Sequence, residues 1–142
     1  MARVQDIVGN RVLFHVEENE TVAAVARRMA DVHVGAIVVF RGGQLRGVFS
    51  ERDLMLRVVL QRLDPETTPV SEVMTTQVAT IDESASLEEA LAAMHNHGCR
   101  HLPVMRQGQV AGFLSMRDLM DYQLERQTEE LRHMHAYIHG AS

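Results

Sequence analysis

The chain repeats itself, and that duplication constrains its fold more than any other feature. Residues Glu18 to Met55 reappear without a gap as Glu83 to Met120. Met29 and Met94, Arg41 and Arg106, Gly43-Gln44 and Gly108-Gln109, and Gly47 and Gly112 fall in register. The densest match closes each copy: Ser50-Glu51-Arg52-Asp53-Leu54-Met55 against Ser115-Met116-Arg117-Asp118-Leu119-Met120. Core packing selects apolar volume and does not demand Ser and Asp at fixed spacing. A repeated polar cluster therefore points to a repeated task, and a two-fold arrangement of the copies would create up to two equivalent crevices.

Composition narrows the class. A length of 142 residues with 46% hydrophobic content suits one globular unit with a real core. The net charge of −5 argues against nucleic acid and anionic membranes as partners, although a local basic cluster can still hold a phosphate. The lone cysteine, Cys99, excludes an intrachain disulfide framework and fits a reducing compartment. Met1-Ala2-Arg3-Val4-Gln5-Asp6 meets an acidic residue early, and no segment has the length of a membrane span. A cytoplasmic protein is expected.

Each copy reads as helix, strand, strand, helix. Val22, Val25, Ala26, Met29 and Val32 recur at helical spacing, with Thr21 placed to cap. In the second copy Ser86-Leu87-Glu88-Glu89 has the form of a capping box, with Leu87, Ala90, Leu91 and Met94 on one face. Ala36-Ile37-Val38-Val39-Phe40 and Leu45-Arg46-Gly47-Val48-Phe49 flank Gly42-Gly43 as a hairpin, and Arg106-Gln107-Gly108-Gln109 repeats the turn. A helix then begins at Ser50 and at Ser115. By spacing, Met29, Met55, Met94 and Met120 belong to the core.

Pro65 and Pro69 break the chain between the copies. Val70-Ser71-Glu72-Val73-Met74 reads as a helical turn leading into a strand over 77–81. Val4-Gln5-Asp6-Ile7, leading into a strand over 11–16, is its fainter counterpart, so the N-terminal segment counts with the first copy. The expected organisation is repeat 1 over 1–62, a linker over 63–69, repeat 2 over 70–122, and a helical extension over 123–142. In that extension Met120, Leu124, Gln127, Leu131, Met134 and Ile138 form a weak four-three seam. It suits either packing onto its own domain or a contact between subunits.

Gly47-Val48-Phe49-Ser50-Glu51-Arg52-Asp53 and Gly112-Phe113-Leu114-Ser115-Met116-Arg117-Asp118 resemble the paired motifs of tandem CBS domains, the module named after cystathionine β-synthase. Arg100-His101-Leu102-Pro103-Val104 and Val70-Ser71-Glu72-Val73-Met74-Thr75 strengthen the resemblance, which runs from about Val4 to Asp121. It implies an α+β fold in which two βαββα repeats pack face to face with pseudo-two-fold symmetry, here with a C-terminal helical extension. It also implies frequent dimerisation and clefts that take adenosine-containing ligands.

Ser50-x-x-Asp53 and Ser115-x-x-Asp118 have a plain structural reading as helix caps with a first-turn carboxylate. The resemblance adds a second role, with Asp53 and Asp118 gripping ribose hydroxyls and Ser50 and Ser115 near a phosphate. Arg52 and Arg117 oppose the helix dipole, and either answer a bound phosphate or pair with an acid such as Glu51. Arg100 and His101 stand where the first copy has Gly35 and Ala36, so the phosphate ends of the clefts are expected to differ. Val38 replaces Pro103 in the first copy, a further departure from the family pattern. The resemblance implies that Val78-Ala79-Thr80, and more faintly Leu13-Phe14-His15, would flank the adenine.

His133, His135 and His139 share a region of the last helix, but no acid or thiolate is placed to complete a metal site, and none is expected. Neither a nucleophile–base pair nor a phosphate-cradling glycine loop is visible, so no catalytic residue is assigned. The expectation is a non-catalytic sensor of AMP, ADP or ATP, working as a homodimer with a regulated protein partner that the sequence does not name. NAD(H) or S-adenosylmethionine in the same clefts, or a ligand-free dimerisation scaffold, are the alternatives.

Overall fold

Two tight hairpins anchor the architecture of the computed structural model, which describes residues 1–140. Strands β2 (Ala36–Arg41) and β3 (Gln44–Ser50) pair antiparallel, with Gly42 and Gly43 at φ 55° and 85° in the turn. Such two-residue turns need positive φ at both positions to match the twist of the strands. In the second copy, β5 (His101–Arg106) and β6 (Gln109–Ser115) turn through Gln107 at φ 50° and Gly108 at φ 79°. Each hairpin carries an irregularity at the same place, between Val39 and Phe40 and between Val104 and Met105.

A short parallel strand completes each sheet: β1 (His15–Glu17) beside β2, and β4 (Ile81–Asp82) beside β5. Helices α2 (Val22–Val32) and α4 (Leu87–His97) make the crossovers between these parallel strands. Thr21 caps the first by accepting from Ala24 N–H at 3.2 Å, and Ser86 caps the second by accepting from Glu89 N–H at 3.1 Å. His33 and Gly98 end them in the left-handed region at φ 58° and 64°. The two three-stranded sheets meet where β3 touches β6, giving the α+β face-to-face arrangement.

The strands expected over 11–16 and 77–81 are shorter than the apolar pattern indicates. Parallel pairing begins only at His15 opposite Val38 and Ile81 opposite Val104, so the residues before them run without a ladder partner. Leu91 is exposed rather than part of the inner face of α4. Met29 and Met94 are buried, but Met55 and Met120 are 51% and 64% exposed. Helical spacing gave Met55 and Met120 an apolar face without showing whether another element covers it.

The segment leading into each copy packs on the other copy. Helix α1 (Val4–Val8) buries Val4 and Val8 among Leu87, Met94, Leu102 and Leu114 of the second repeat. Val4 and Gln5 N–H donate to the carbonyls of Ala85 and Glu83, both at 2.9 Å. Reciprocally, the turn Val70–Glu72 delivers Val70, Val73 and Met74 into the core of Val25, Ile37 and Phe49. Val48 and Thr75 exchange N–H···O bonds at 2.9 Å each way. The N-terminal segment is thus no tail, and its buried side chains belong to the opposite core.

Gly47 permits that close approach. A Cβ there would lie 2.6 Å from the Thr75 carbonyl oxygen and 2.8 Å from Met74 Sδ, whereas one on Gly112 would meet only the Val8 side chain, at 3.1 Å. Gly47→Ala is therefore expected to cost about 1–3 kcal/mol, as overpacking against backbone does, and Gly112→Ala less. Urea unfolding of the two variants measures the difference.

The first copy ends in α3 (Glu51–Asp53), which continues as a wider turn over Leu54–Val59. Leu60 N–H donates five residues back, to Met55 O at 3.0 Å. Such widened turns occur mostly as local insertions near functional sites. The second copy ends in a regular helix, α5 (Met116–Gly140). Its distal part exposes Leu124, Leu131, Met134 and Ile138, so among the described residues the expected seam does not fold back onto the domain. Residues 141–142 of the extension lie outside the described residues.

Candidate functional site

Strand β3 runs out at Ser50, and the chain turns directly into α3. Ser50 and Asp53 cap that turn reciprocally: Asp53 N–H donates to Ser50 Oγ at 3.1 Å, and Ser50 N–H donates to Asp53 Oδ2 at 3.0 Å. Ser115 and Asp118 repeat the pattern at the start of α5, at 3.0 and 2.9 Å. The capping box thus has both halves here, whereas at Ser86 only the Ser-to-Glu89 half forms. The cap accounts for one carboxylate oxygen of each Asp and leaves the other for different work.

Around Asp53 that other work is distinctive. Asp53 is 7% exposed, and its carboxylate receives the Thr75 hydroxyl at 3.1 and 3.3 Å. Arg57, one turn on, places Nε 3.6 Å from Asp53 Oδ1 while its Nη1 donates to Met74 O at 2.8 Å. Asp53 therefore sits where the capped turn, the widened turn and the segment leading into the second repeat converge. A carboxylate held by neutral and loosely placed donors can exchange them for other hydroxyls at modest expense.

A cleft of about 940 Å³ opens over this point, in the upper range for small-molecule sites. Ser50, Arg52, Asp53 and Thr75 line it, together with Val78 and Ala79. Cys99, Arg100 and His101 of the second repeat line it as well. The cleft so combines a buried acid, a few apolar side chains and basic residues. A smaller depression of about 370 Å³ gathers Ser115, Arg117, Met120 and the other side of Arg100 and His101.

Of the residues singled out in the sequence, Ser50, Arg52, Asp53, Val78, Ala79, Arg100 and His101 come together in the larger cleft, and Ser115 and Arg117 line the smaller one. Asp118, Thr80 and Leu13 line neither. Asp118 is instead ion-paired with Arg11 at 2.8 Å. Thr75, Arg57 and Gln77 are among the cleft residues to which the sequence assigns no part. Thr75 lies within a quoted signature and was readable in principle. Arg57 corresponds to Tyr122 in the second copy, so the duplication hides it.

His101 stacks on Phe113, with ring centroids 5.2 Å apart. Burial holds its imidazole below the usual pKa, reinforced by Arg100 and opposed by the carboxylates of Asp118 and Glu51. A folded value below the unfolded one means that the unfolded chain binds more protons. Stability from this group is then complete above the unfolded value near 6.5 and is lost as pH falls through the folded value. His101→Gln is expected to flatten the fall in melting temperature between about pH 7 and pH 5.5, measured by calorimetry across that range.

The histidines of α5 are exposed, with the rings of His135 and His139 4.4 Å apart. No group of three or more potential metal ligands occurs among the described residues. No described helix is long and apolar enough to cross a membrane.

The CBS domain model matches residues 4–60 and again 70–125. The CBS domain-containing protein YhcV of Bacillus subtilis is 35% identical over 128 residues, covering 90% of this chain and 90% of its own. A CBS-domain protein from Burkholderia ambifaria superposes with a TM-score of 0.84 at 32% identity, over 89% of this chain and 96% of its own. A CBS domain protein from Pyrobaculum aerophilum, solved in complex with AMP, superposes with a TM-score of 0.75 at 30% identity, over 82% of this chain and 89% of its own.

Proposed function

The chain belongs to the CBS-domain family, and from that premise we propose that it is a non-catalytic regulatory module binding an adenosine nucleotide in the cleft over Asp53. The observation that carries the reading is the buried Asp53 carboxylate in a cleft also lined by Arg52, Arg100 and His101. Asp53 accepts the ribose hydroxyls in place of the Thr75 hydroxyl. The adenine lies along Val78 and Ala79, where unpaired backbone can read its edge. Arg52, Arg100 and His101 face the phosphate. The AMP bound to the Pyrobaculum aerophilum relative supports AMP as the first ligand to test. ADP, ATP, NAD(H) and S-adenosylmethionine offer the same ribose to the same acid.

The mechanism is a shift of population. The cleft walls come from both repeats, so a ligand bridging them favours one relative arrangement, in proportion to its differential affinity for the two. A protein partner reads that difference. The exposed apolar residues Met55, Val59 and Leu60 after the first motif, and Met120 and Leu124 after the second, support a homodimer built on this face. An anionic phosphate beside His101 favours the imidazolium, so AMP binding should take up protons and tighten from pH 7.5 toward pH 6.

A thermal-shift panel of AMP, ADP, ATP, NAD⁺, NADH and S-adenosylmethionine tests the reading. At a hundredfold excess over Kd a ligand adds about 2.7 kcal/mol, which raises Tm by several degrees. A selective shift supports the sensor and identifies its signal. No shift with any ligand, together with no nucleotide co-purifying in native mass spectrometry, favours a dimerisation scaffold.

A further inference from the structure

We infer that Arg11 makes the two halves of the duplication unequal, so that the chain takes one adenosine nucleotide rather than two. The inference rests on the nucleotide reading of the Asp53 cleft. Arg11 Nη1 lies 2.8 Å from Asp118 Oδ1, while Asp118 Oδ2 accepts the capping N–H of Ser115 at 2.9 Å. Both oxygens of the second acid are therefore engaged, one of them by a cation. In the first copy the nearest cation to the acid is Arg57, 3.6 Å away and already donating to the Met74 carbonyl at 2.8 Å. The partner that a ribose must displace from Asp53 is the neutral Thr75 hydroxyl.

The duplication shows where this difference comes from. At the offset that maps Glu83 onto Glu18, Arg11 stands in the place of Thr76 and Asn10 in the place of Thr75. The two copies have thus diverged beside an otherwise matching Ser-x-x-Asp. A diol approaching Asp118 must replace an ion pair with bonds from uncharged donors, and it leaves a guanidinium unpaired. A diol approaching Asp53 exchanges like for like. The Arg11 side chain is 52% exposed, so the ion pair is screened and biases the second site rather than sealing it. The depression beside Ser115 and Arg117 is also the smaller one and is not lined by Asp118.

Titration calorimetry with AMP on the full chain and on D53N, D118N, R11T and R11Q decides the matter. Wild type should saturate at one AMP per chain, D118N should match it, and D53N should bind that AMP roughly ten- to hundredfold more weakly. R11T, which installs the second copy's own residue, and R11Q should each gain a second event, its affinity raised on the order of tenfold. Circular dichroism confirms that the variants are folded. Two AMP bound by wild type overturns the inference. So does a single AMP on both Arg11 variants, or weakened binding in D118N rather than in D53N. No AMP bound by any of the proteins overturns the nucleotide reading itself, a result distinct from those three.

Discussion

Val4→Ala combined with Val8→Ala is expected to destabilise the protein by about 3–5 kcal/mol, with the damage in the second repeat. Val4 is fully buried and Val8 nearly so, and both lie against Leu102, Leu114 and Met94 rather than against the strands that follow them in sequence. Truncating both removes four carbons at about 0.8 kcal/mol each and leaves space that α1, fixed by backbone bonds to Glu83 and Ala85, closes only in part. Hydrogen exchange should accelerate first in β6 and α4, with β2 and β3 following. Loss of protection confined to β2 and β3 would mean that α1 belongs to the repeat it precedes.

Asp53→Asn is expected to weaken AMP binding by roughly ten- to hundredfold, or about 1.5–3 kcal/mol, the range for hydrogen bonds to a charged group. Asn is as good a cap as Asp and can still accept from Ser50 and Thr75, so the fold loses little. The change removes the negative charge that strengthens bonds from ribose hydroxyls, and it removes the pairing with Arg57. Calorimetric titration gives the affinity, and a melting curve shows whether stability is kept. Equal affinity in D53N and wild type would remove Asp53 from the site.

The features that depend on neighbours in sequence were legible from the chain. The Gly42-Gly43 turn, the Thr21 and Ser86 caps and the Ser50–Asp53 and Ser115–Asp118 starts each rest on contacts a few residues apart. The exchange of leading segments was not legible, because Val4 and Val70 look alike whichever sheet they cover. Met55 and Met120 show the same limit: periodicity assigns a face but not a partner. Around the site, Asp53 and the Arg100-His101 pair were readable from the motifs. Arg57 and Arg11 were not, because each lacks a basic counterpart in the other copy, and their partners, the Met74 carbonyl and Asp118, come from distant parts of the chain.

The most direct test of the central claim is a two-dimensional amide NMR titration of the protein with AMP. Binding over Asp53 predicts that the amides of Ser50 to Asp53, Thr75 to Ala79, and Arg100 and His101 shift together along one saturable curve. These three segments come from separate parts of the chain and contribute residues to that one cleft. Unchanged spectra, or shifts confined to residues outside those segments, would contradict it.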